Sequence, residues 1–275
     1  MRKALRLLLI AAAIGLCAVG WMYSVATRDP AVRRASVEMP DWPLGEPPIR
    51  VVLLSDIHIA GPDMPPSRLR RIVDQVNGLK PDAVLIAGDF VSDKTLATRR
   101  YPAGEGLRPL AALRARHGVY AVLGNHDHWR GATEVSAALK AAGVRLLVNE
   151  SATIGGMRLG GVDDDFTDHA DVGATVAAMS AEKGAGVLLS HSPDVGPRTA
   201  RNVTLILAGH THCGQIRLPV IGAPNYESKY GDRFSCGLIT EGSRRILVTG
   251  GVGTSVLPLR LGAAPELWLL TLGPA

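Results

Sequence analysis

The sequence predicts an α/β domain behind one apolar helix. Three observations carry that prediction. Short runs rich in Val, Ile and Leu, each the length of a buried strand, recur between stretches with helical spacing. Five of these runs end in side chains able to hold a ligand or move a proton, and open α/β sheets place their sites at such strand ends. Residues 7–26 carry no charge, a span of about 20 residues that suits a bilayer crossing.

Composition excludes several classes. A chain of 275 residues, 47% hydrophobic and 20% charged, can build one large core or two modest ones. Aromatics make up only 4%, too few for a platform of stacked bases. Of the net charge of +5, +3 lies in residues 1–30, where Arg2, Lys3, Arg6 and Arg28 face Asp29. No concentrated basic stripe is left, so no nucleic-acid partner is expected. Cys17, Cys213 and Cys236 have neither metal-finger spacing nor the number for a disulfide scaffold.

In chain order, the basic start and residues 7–26 read as a membrane anchor. The length favours an uncleaved span over a removed signal, whose apolar core is shorter, although Ser24-Val25-Ala26 would serve as a cleavage site. Trp21 and Tyr23 suit the interfacial belt. Residues 28–48 hold five prolines and read as a linker or an edge segment, with Trp42 packing on the domain. Residues 49–54 form a strand, followed by Ser55-Asp56-Ile57-His58. Two residues apart on extended backbone, Asp56 and His58 would point the same way. Ser67 is placed to cap a helix running to about Asn77, with Leu69, Ile72, Val73 and Val76 on one face. The next strand, 83–87, ends in Gly88-Asp89, and residues 92–106 read as a loop over the site.

A helix around 107–116 leads to the strand 119–123 and its ending, Gly124-Asn125-His126-Asp127, with His128 a supporting or surface residue. A helix at 133–142 precedes short strands near 144–148, 152–154 and 157–162, which suggest a second sheet with antiparallel character. Asp163-Asp164-Asp165 reads as a solvated turn, since three adjacent acids cannot all face one cation. Asp171 is placed to cap the following helix. Strands 186–189 and 203–208 end in His191 and in Gly209-His210-Thr211-His212. A Pro-, Gly- and Tyr-rich stretch, a hairpin around Glu241-Gly242-Ser243 and a final strand at 267–272 complete the chain.

The strand ends supply Asp56, His58, Asp89, Asn125, His126, His191, His210 and His212. Mixed carboxylate, imidazole and amide donors suit Mn²⁺, Fe or Zn²⁺ rather than a thiolate zinc. Eight groups exceed the needs of one ion and suffice for two sharing a carboxylate. Such a pair clamps a phosphoryl group and turns water into hydroxide.

The motif order closely resembles the calcineurin-like metallophosphoesterase family: Asp-x-His, Gly-Asp, Gly-Asn-His-Asp, a lone His, then Gly-His-x-His. The resemblance runs from Ile49 to the end, and Gly-His-Thr-His-Cys-Gly-Gln with the Gly251 to Glu266 pattern looks like its membrane-anchored bacterial branch. Some members of that branch cleave the pyrophosphate of UDP-diacylglucosamine. The resemblance implies a four-layer α/β/β/α sandwich of two mixed sheets over 49–275, after an anchor (1–27) and a linker (28–48). It implies that Asp56, His58 and His212 hold one divalent ion, that Asn125, His191 and His210 hold the other, and that Asp89 bridges them, with Mn favoured over Fe or Zn. His126 would serve the scissile phosphate or leaving oxygen, and Asp127 would orient its imidazole. Cys213, where many relatives carry Gly, adds a soft donor or simply packs.

The expected function is therefore two-metal phosphoester hydrolysis by an in-line attacking hydroxide, on a membrane-associated or lipid-linked phosphodiester or pyrophosphate. The alternatives are the same site acting on a soluble nucleotide-type substrate, and a metal-dependent scaffold without turnover. The expected place is the inner (cytoplasmic) membrane, single-pass. Arg2, Lys3 and Arg6 before the span balance Arg28, Arg33 and Arg34 after it. The free amino terminus tips the choice toward a catalytic domain on the extracytoplasmic side.

Overall fold

The structure, a computed structural model, describes residues 2–274. Its elements in order are α1 (Arg2–Thr27), β1 (Ala31–Glu38), β2 (Ile49–Leu54), β3 (Ala60–Gly61), α2 (Pro66–Gly78), β4 (Ala83–Ala87), β5 (Arg99–Arg100), α3 (Ala103–Gly106) and β6 (Val119–Val122). Then come α4 (Asn125–Ala141), β7 (Arg145–Leu146), β8 (Glu150–Ile154), β9 (Met157–Gly161), α5 (Val172–Ser180), β10 (Ala185–Leu189), β11 (Leu205–Ala208), β12 (Gly237–Glu241), β13 (Arg244–Val248) and β14 (Glu266–Gly273).

Two six-stranded mixed sheets face each other, ordered β1-β14-β2-β4-β6-β7 and β12-β13-β11-β10-β9-β8. The alternation of strand side chains builds the layers. In β2, Val51 and Leu53 point into the inter-sheet core, while Val52 and Leu54 point out onto α2 and α4. Strand β4 divides the same way, with Leu85 inward and Val84 and Ile86 outward. On the far side, Leu188, Ile206 and Ile246 pack beneath Val172 and Met179 of α5. The result is the four-layer α/β/β/α sandwich expected from the resemblance.

Several local readings change. Residues 31–38, within the segment read as linker or edge, form strand β1 at the end of the first sheet, parallel to β14. Trp42 is buried in the inter-sheet core and donates Nε1–H to the Glu46 carbonyl. Helix α2 starts at Pro66 without a side-chain cap from Ser67. The helix read at 107–116 is a 3₁₀ turn over Arg108–Ala112. Helix α4 begins eight residues earlier than the helical reading, at Asn125, and bends at Gly131 (φ 120°). Asp171 caps α5 as expected, accepting the Ala174 N–H at 2.8 Å.

Helix α1 is long and apolar enough to cross a membrane, and none of its most apolar window is buried against the rest of the chain. Its last turns do touch the domain. Ala26 is buried, the Met22 carbonyl accepts the Arg260 N–H at 3.2 Å, and Tyr23 Oη–H donates to the Pro62 carbonyl at 3.3 Å.

Candidate metal centre

The carboxyl ends of β2, β4 and β6 from one sheet and of β10 and β11 from the other meet at one place. Each strand stops two or three residues before its polar side chain, so the candidate ligands sit on turns rather than on extended backbone. Asp56 (φ 52°), His58 (48°), Asp89 (56°), His210 (70°) and His212 (50°) all adopt left-handed backbone. Non-glycine residues do so at a cost of about 1–3 kcal/mol each, and such positions cluster at functional sites. This corrects the expectation that Asp56 and His58 share a side because the backbone is extended. They converge because each turn is left-handed. Gly124 is required here, since a Cβ on it would overlap the Asp89 carboxylate.

The buried donors form two sets around one oxygen, Asp89 Oδ2. It stands 3.4 Å from His58 Nε2 and 3.2 Å from His191 Nε2. On the first side, His58 Nε2 is 3.1 Å from His212 Nε2, and Asp56 Oδ1 is 3.4 Å from His212 Nε2. On the second, His191 Nε2 lies 3.1 Å from both His210 Nδ1 and Asn125 Oδ1. Donors held about 2.0–2.2 Å from one cation stand roughly 3.0–3.4 Å from each other. The spacing therefore fits two divalent ions with Asp89 between them.

The electrostatics fit as well. Burial holds the His58 and His212 imidazoles well below their usual range and lowers His210 to about 3, helped there by the charge of His191. All three thus offer neutral lone pairs, the form a cation requires. Burial pushes Asp56 up to about 6, with the charge of Asp89 adding to it. Burial alone would raise Asp89 and lower His191. The attraction between these two outweighs it, so Asp89 stays ionised well below the carboxylate range and His191 rises to about 10. The His191 imidazole is thus drawn to the Asp89 charge, which a bound cation would also balance.

Asp127 does not orient His126. One oxygen accepts the N–H groups of Asp89 (2.9 Å) and Gly124 (3.0 Å), and the other accepts those of Phe90 (2.8 Å) and Val91 (3.1 Å). Both oxygens are thereby occupied with the turn that carries Asp89. Adjacent residues at a helix start point about 100° apart, so Asp127 faces inward while His126 faces the cleft. The partner of His126 is Asp93, whose Oδ1 lies 2.5 Å from Nδ1, in the loop expected over the site. The His126 N–H, at the amino end of α4, donates to Asp89 Oδ1 at 3.0 Å.

Asp93 is held through its neighbour. Lys94 Nζ is buried and donates to Asp63 at 2.9 Å and to Thr254 Oγ1 at 2.9 Å. Arg260, wholly buried, donates to the carbonyls of Gly250 and Gly253 and brings Nη2 to 3.3 Å from His212 Nδ1. Arg260 belongs to the Gly251 to Glu266 pattern, as the Arg of its Pro-x-Arg, but no local motif announced Lys94. Lys94 lies in the polar loop beside Asp93, whereas Arg260 is the one charge in an apolar and glycine-containing stretch.

The three acids at 163–165 are buried rather than solvated. Each finds its own partner: Asp163 takes His128 Nε2 at 2.8 Å, Asp164 takes the Thr167 N–H, and Asp165 pairs with Arg198. The turn thereby carries Phe166 to the face of His210, ring centroids 5.1 Å apart. Cys213, read as a packing residue or soft donor, is in a disulfide with Cys236, next to His212.

Above the two donor sets lies a cavity of about 350 Å³. Asp89, Asn125, His126, His210 and His212 line its floor, and Trp129, Phe166, Ile216, Val256 and Leu257 its walls. The floor is polar and charged; the walls are apolar.

Comparison with known proteins agrees with this geometry. The calcineurin-like phosphoesterase family model matches residues 49–214. An uncharacterized metallophosphoesterase of Bacillus subtilis is 31% identical over 84% of this chain and 81% of its own length. A transmembrane protein with a metallophosphoesterase domain from Danio rerio is 31% identical over 91% of this chain and 59% of its own. An uncharacterized metallophosphoesterase of Helicobacter pylori is 31% identical over 82% and 60%. The chain thus spans about three-fifths of the length of the last two relatives. Sheets, motifs and buried donors agree: the chain belongs to the calcineurin-like phosphoesterase family, metal-dependent hydrolases of phosphoric esters.

Proposed function

We propose that this chain is a two-metal phosphoester hydrolase, tethered by α1 and acting on a membrane-associated or lipid-linked phosphodiester or pyrophosphate. The observation that carries the reading is the pair of donor sets sharing Asp89 Oδ2. Asp56, His58 and His212 would hold one divalent ion, Asn125, His191 and His210 the other, with Asp89 common to both. When bound, the ions supply an activated water and charge neutralisation at phosphorus.

The remaining steps belong to side chains. His126 faces the cavity and delivers a proton from Nε2 to the departing oxygen. Asp93 accepts a hydrogen bond from Nδ1–H, which fixes the ring and stabilises its charged form. Trp129, Phe166 and Leu257 exclude water beside the reacting group and favour a substrate with an apolar portion.

The span and the disulfide support an extracytoplasmic domain, because disulfides persist in oxidising compartments. A second reading, a soluble nucleotide-type substrate, has one observation in its favour. Trp129 and Phe166 stand edge to face at the wall, 6.0 Å between centroids, where a base could stack. Turnover by the metal-loaded full chain on a panel of lipid-linked and free phosphodiesters decides between them. No turnover of any member, including aryl phosphodiesters, overturns the hydrolase reading.

A further inference from the structure

The chain displays an apolar surface that the proposed chemistry leaves unused. Val220 is fully exposed, Ile221 is 79% exposed and Val256 65%. Residues 218–222 close a tight hairpin through paired backbone bonds between Leu218 and Gly222, at 2.9 and 3.0 Å, with Pro219 and Val220 at the tip. Exposed aliphatic side chains scattered singly need no explanation, but a group of them on adjoining loops does.

These loops are tied to the root of α1. The Arg217 N–H donates to the Leu261 carbonyl at 2.7 Å, and the Leu261 N–H donates to the Gln215 carbonyl at 3.0 Å. Gln215 also bonds the Leu257 carbonyl and the Ser255 N–H through its side chain. The neighbouring Arg260 N–H donates to the Met22 carbonyl of α1 at 3.2 Å. Two or three backbone bonds therefore lead from the hairpin to the helix.

The helix has no spacer. The charge-free run continues through residue 26, yet the domain already grips α1 at Met22, Tyr23 and Ala26. At about 1.5 Å per residue, residues 7–21 cover only about 22 Å of a hydrocarbon core of about 30 Å, so a crossing that uses the whole run draws the domain bound at residues 22–26 against the lipid surface. Trp21 itself is exposed, as an interfacial anchor is. The face of the domain beside Met22 must then meet lipid, and that face carries the apolar loops.

We propose that the hairpin 218–222 and the loop 255–258 form a bilayer-insertion surface beside the exit of α1, so that the cavity above Asp89 and His126 opens at the lipid–water interface. Ser255, Val256 and Leu257 belong to both the cavity wall and the second loop, and Gln215 and Ile216 line the cavity just ahead of the hairpin, so surface and site share one rim. A phosphoester whose tail stays in the bilayer could reach the floor without leaving the lipid. The insertion rests on the membrane anchor proposed above, but not on the identity of the substrate.

The test uses the full chain in phosphatidylcholine/phosphatidylglycerol vesicles. In a Cys17→Ser background, single cysteines replace Val220, Val256 and, as a control, Lys183, and each is nitroxide-labelled. Lys183 is exposed before the amino end of β10, the pole opposite the cavity. Labels at 220 and 256 should relax faster with dissolved oxygen than with a water-soluble nickel chelate, and the label at 183 the reverse. Labels at 220 and 256 that behave as the one at 183 would overturn the proposal. A chain that washes off the vesicles in alkaline carbonate refutes the anchor and with it the insertion.

The Val220→Asp/Ile221→Asp double variant adds a kinetic readout. Its turnover of a vesicle-embedded phosphodiester should fall by about tenfold or more, the scale of withdrawing an aliphatic side chain from an apolar medium, while bis(p-nitrophenyl) phosphate turnover is unchanged. An equal effect on both substrates counts against an interfacial role. If the unmodified chain cleaves only the soluble ester, the lipid-linked substrate falls, and the label depths still decide the insertion.

Discussion

The carboxylate of Asp127 accepts the backbone N–H of Asp89 at 2.9 Å, and thereby sets the turn on which both donor sets depend. Asp127→Asn would face two of the four bound N–H groups with an amide donor. Each stranded buried N–H costs about 1–3 kcal/mol, and loss of such support typically weakens metal binding about 10–100-fold. Denaturant melts and metal titration should show both losses, with turnover largely restored at saturating metal. Unchanged metal affinity with lost turnover would return Asp127 to a role in proton transfer.

Asp89→Ala should be the most damaging single ligand change, because one oxygen serves both donor sets. The variant should lose both ions and nearly all activity. Elemental analysis finding two ions per chain in the variant would refute the bridging role.

His126→Ala should keep both ions and lose roughly 10²–10⁴-fold in turnover, the usual scale of positioned proton transfer. The deficit should shrink for aryl esters with acidic leaving groups, which need no protonation. Asp93→Asn should show the same leaving-group trend with a smaller loss, since Asp93 acts through the imidazole. A uniform deficit across the leaving-group series would mean that His126 only holds the phosphate.

Gly124→Ala tests the crowding at the site without changing a charge. A Cβ there overlaps the Asp89 carboxylate and lies 2.8 Å from the Asp89 backbone nitrogen. Overpacking of this kind costs about 1–3 kcal/mol. Metal affinity should drop together with stability, and a variant matching the unmodified chain in both would show that the Asp89 turn can shift freely.

The compartment can be read from two signals. A C-terminal reporter that fluoresces only in the cytoplasm should stay dark in an intact membrane-bound fusion. Alkylation of denatured, unreduced protein should modify Cys17 but spare Cys213 and Cys236. A bright reporter would put the domain in the cytoplasm.

Much of the framework was legible because strand ends are local signals. A Gly or a change of periodicity stops each strand, and the sheets then bring Asp56, Asp89, Asn125, His191 and His210 together. What escaped depends on loop paths with long sequence separation. Asp93 meets His126 across 33 residues, and Lys94 meets Thr254 across 160. Asp127 was misassigned because adjacency in sequence is not adjacency on a helix. Strand β1 was obscured because Arg33 and Arg34 interrupt its alternation at an exposed sheet edge.

The placement of β14 governs how the protein can be made. This late strand lies between β1 and β2, parallel to one and antiparallel to the other. Until residues 266–273 emerge from the ribosome, both earlier strands keep bare edges, and Glu266 cannot cap the Gly250 N–H behind the site. The first sheet therefore stays half-built until that strand is made. A chain cut short before Glu266 would leave two unpaired edges, a template for aggregation rather than a weakened enzyme.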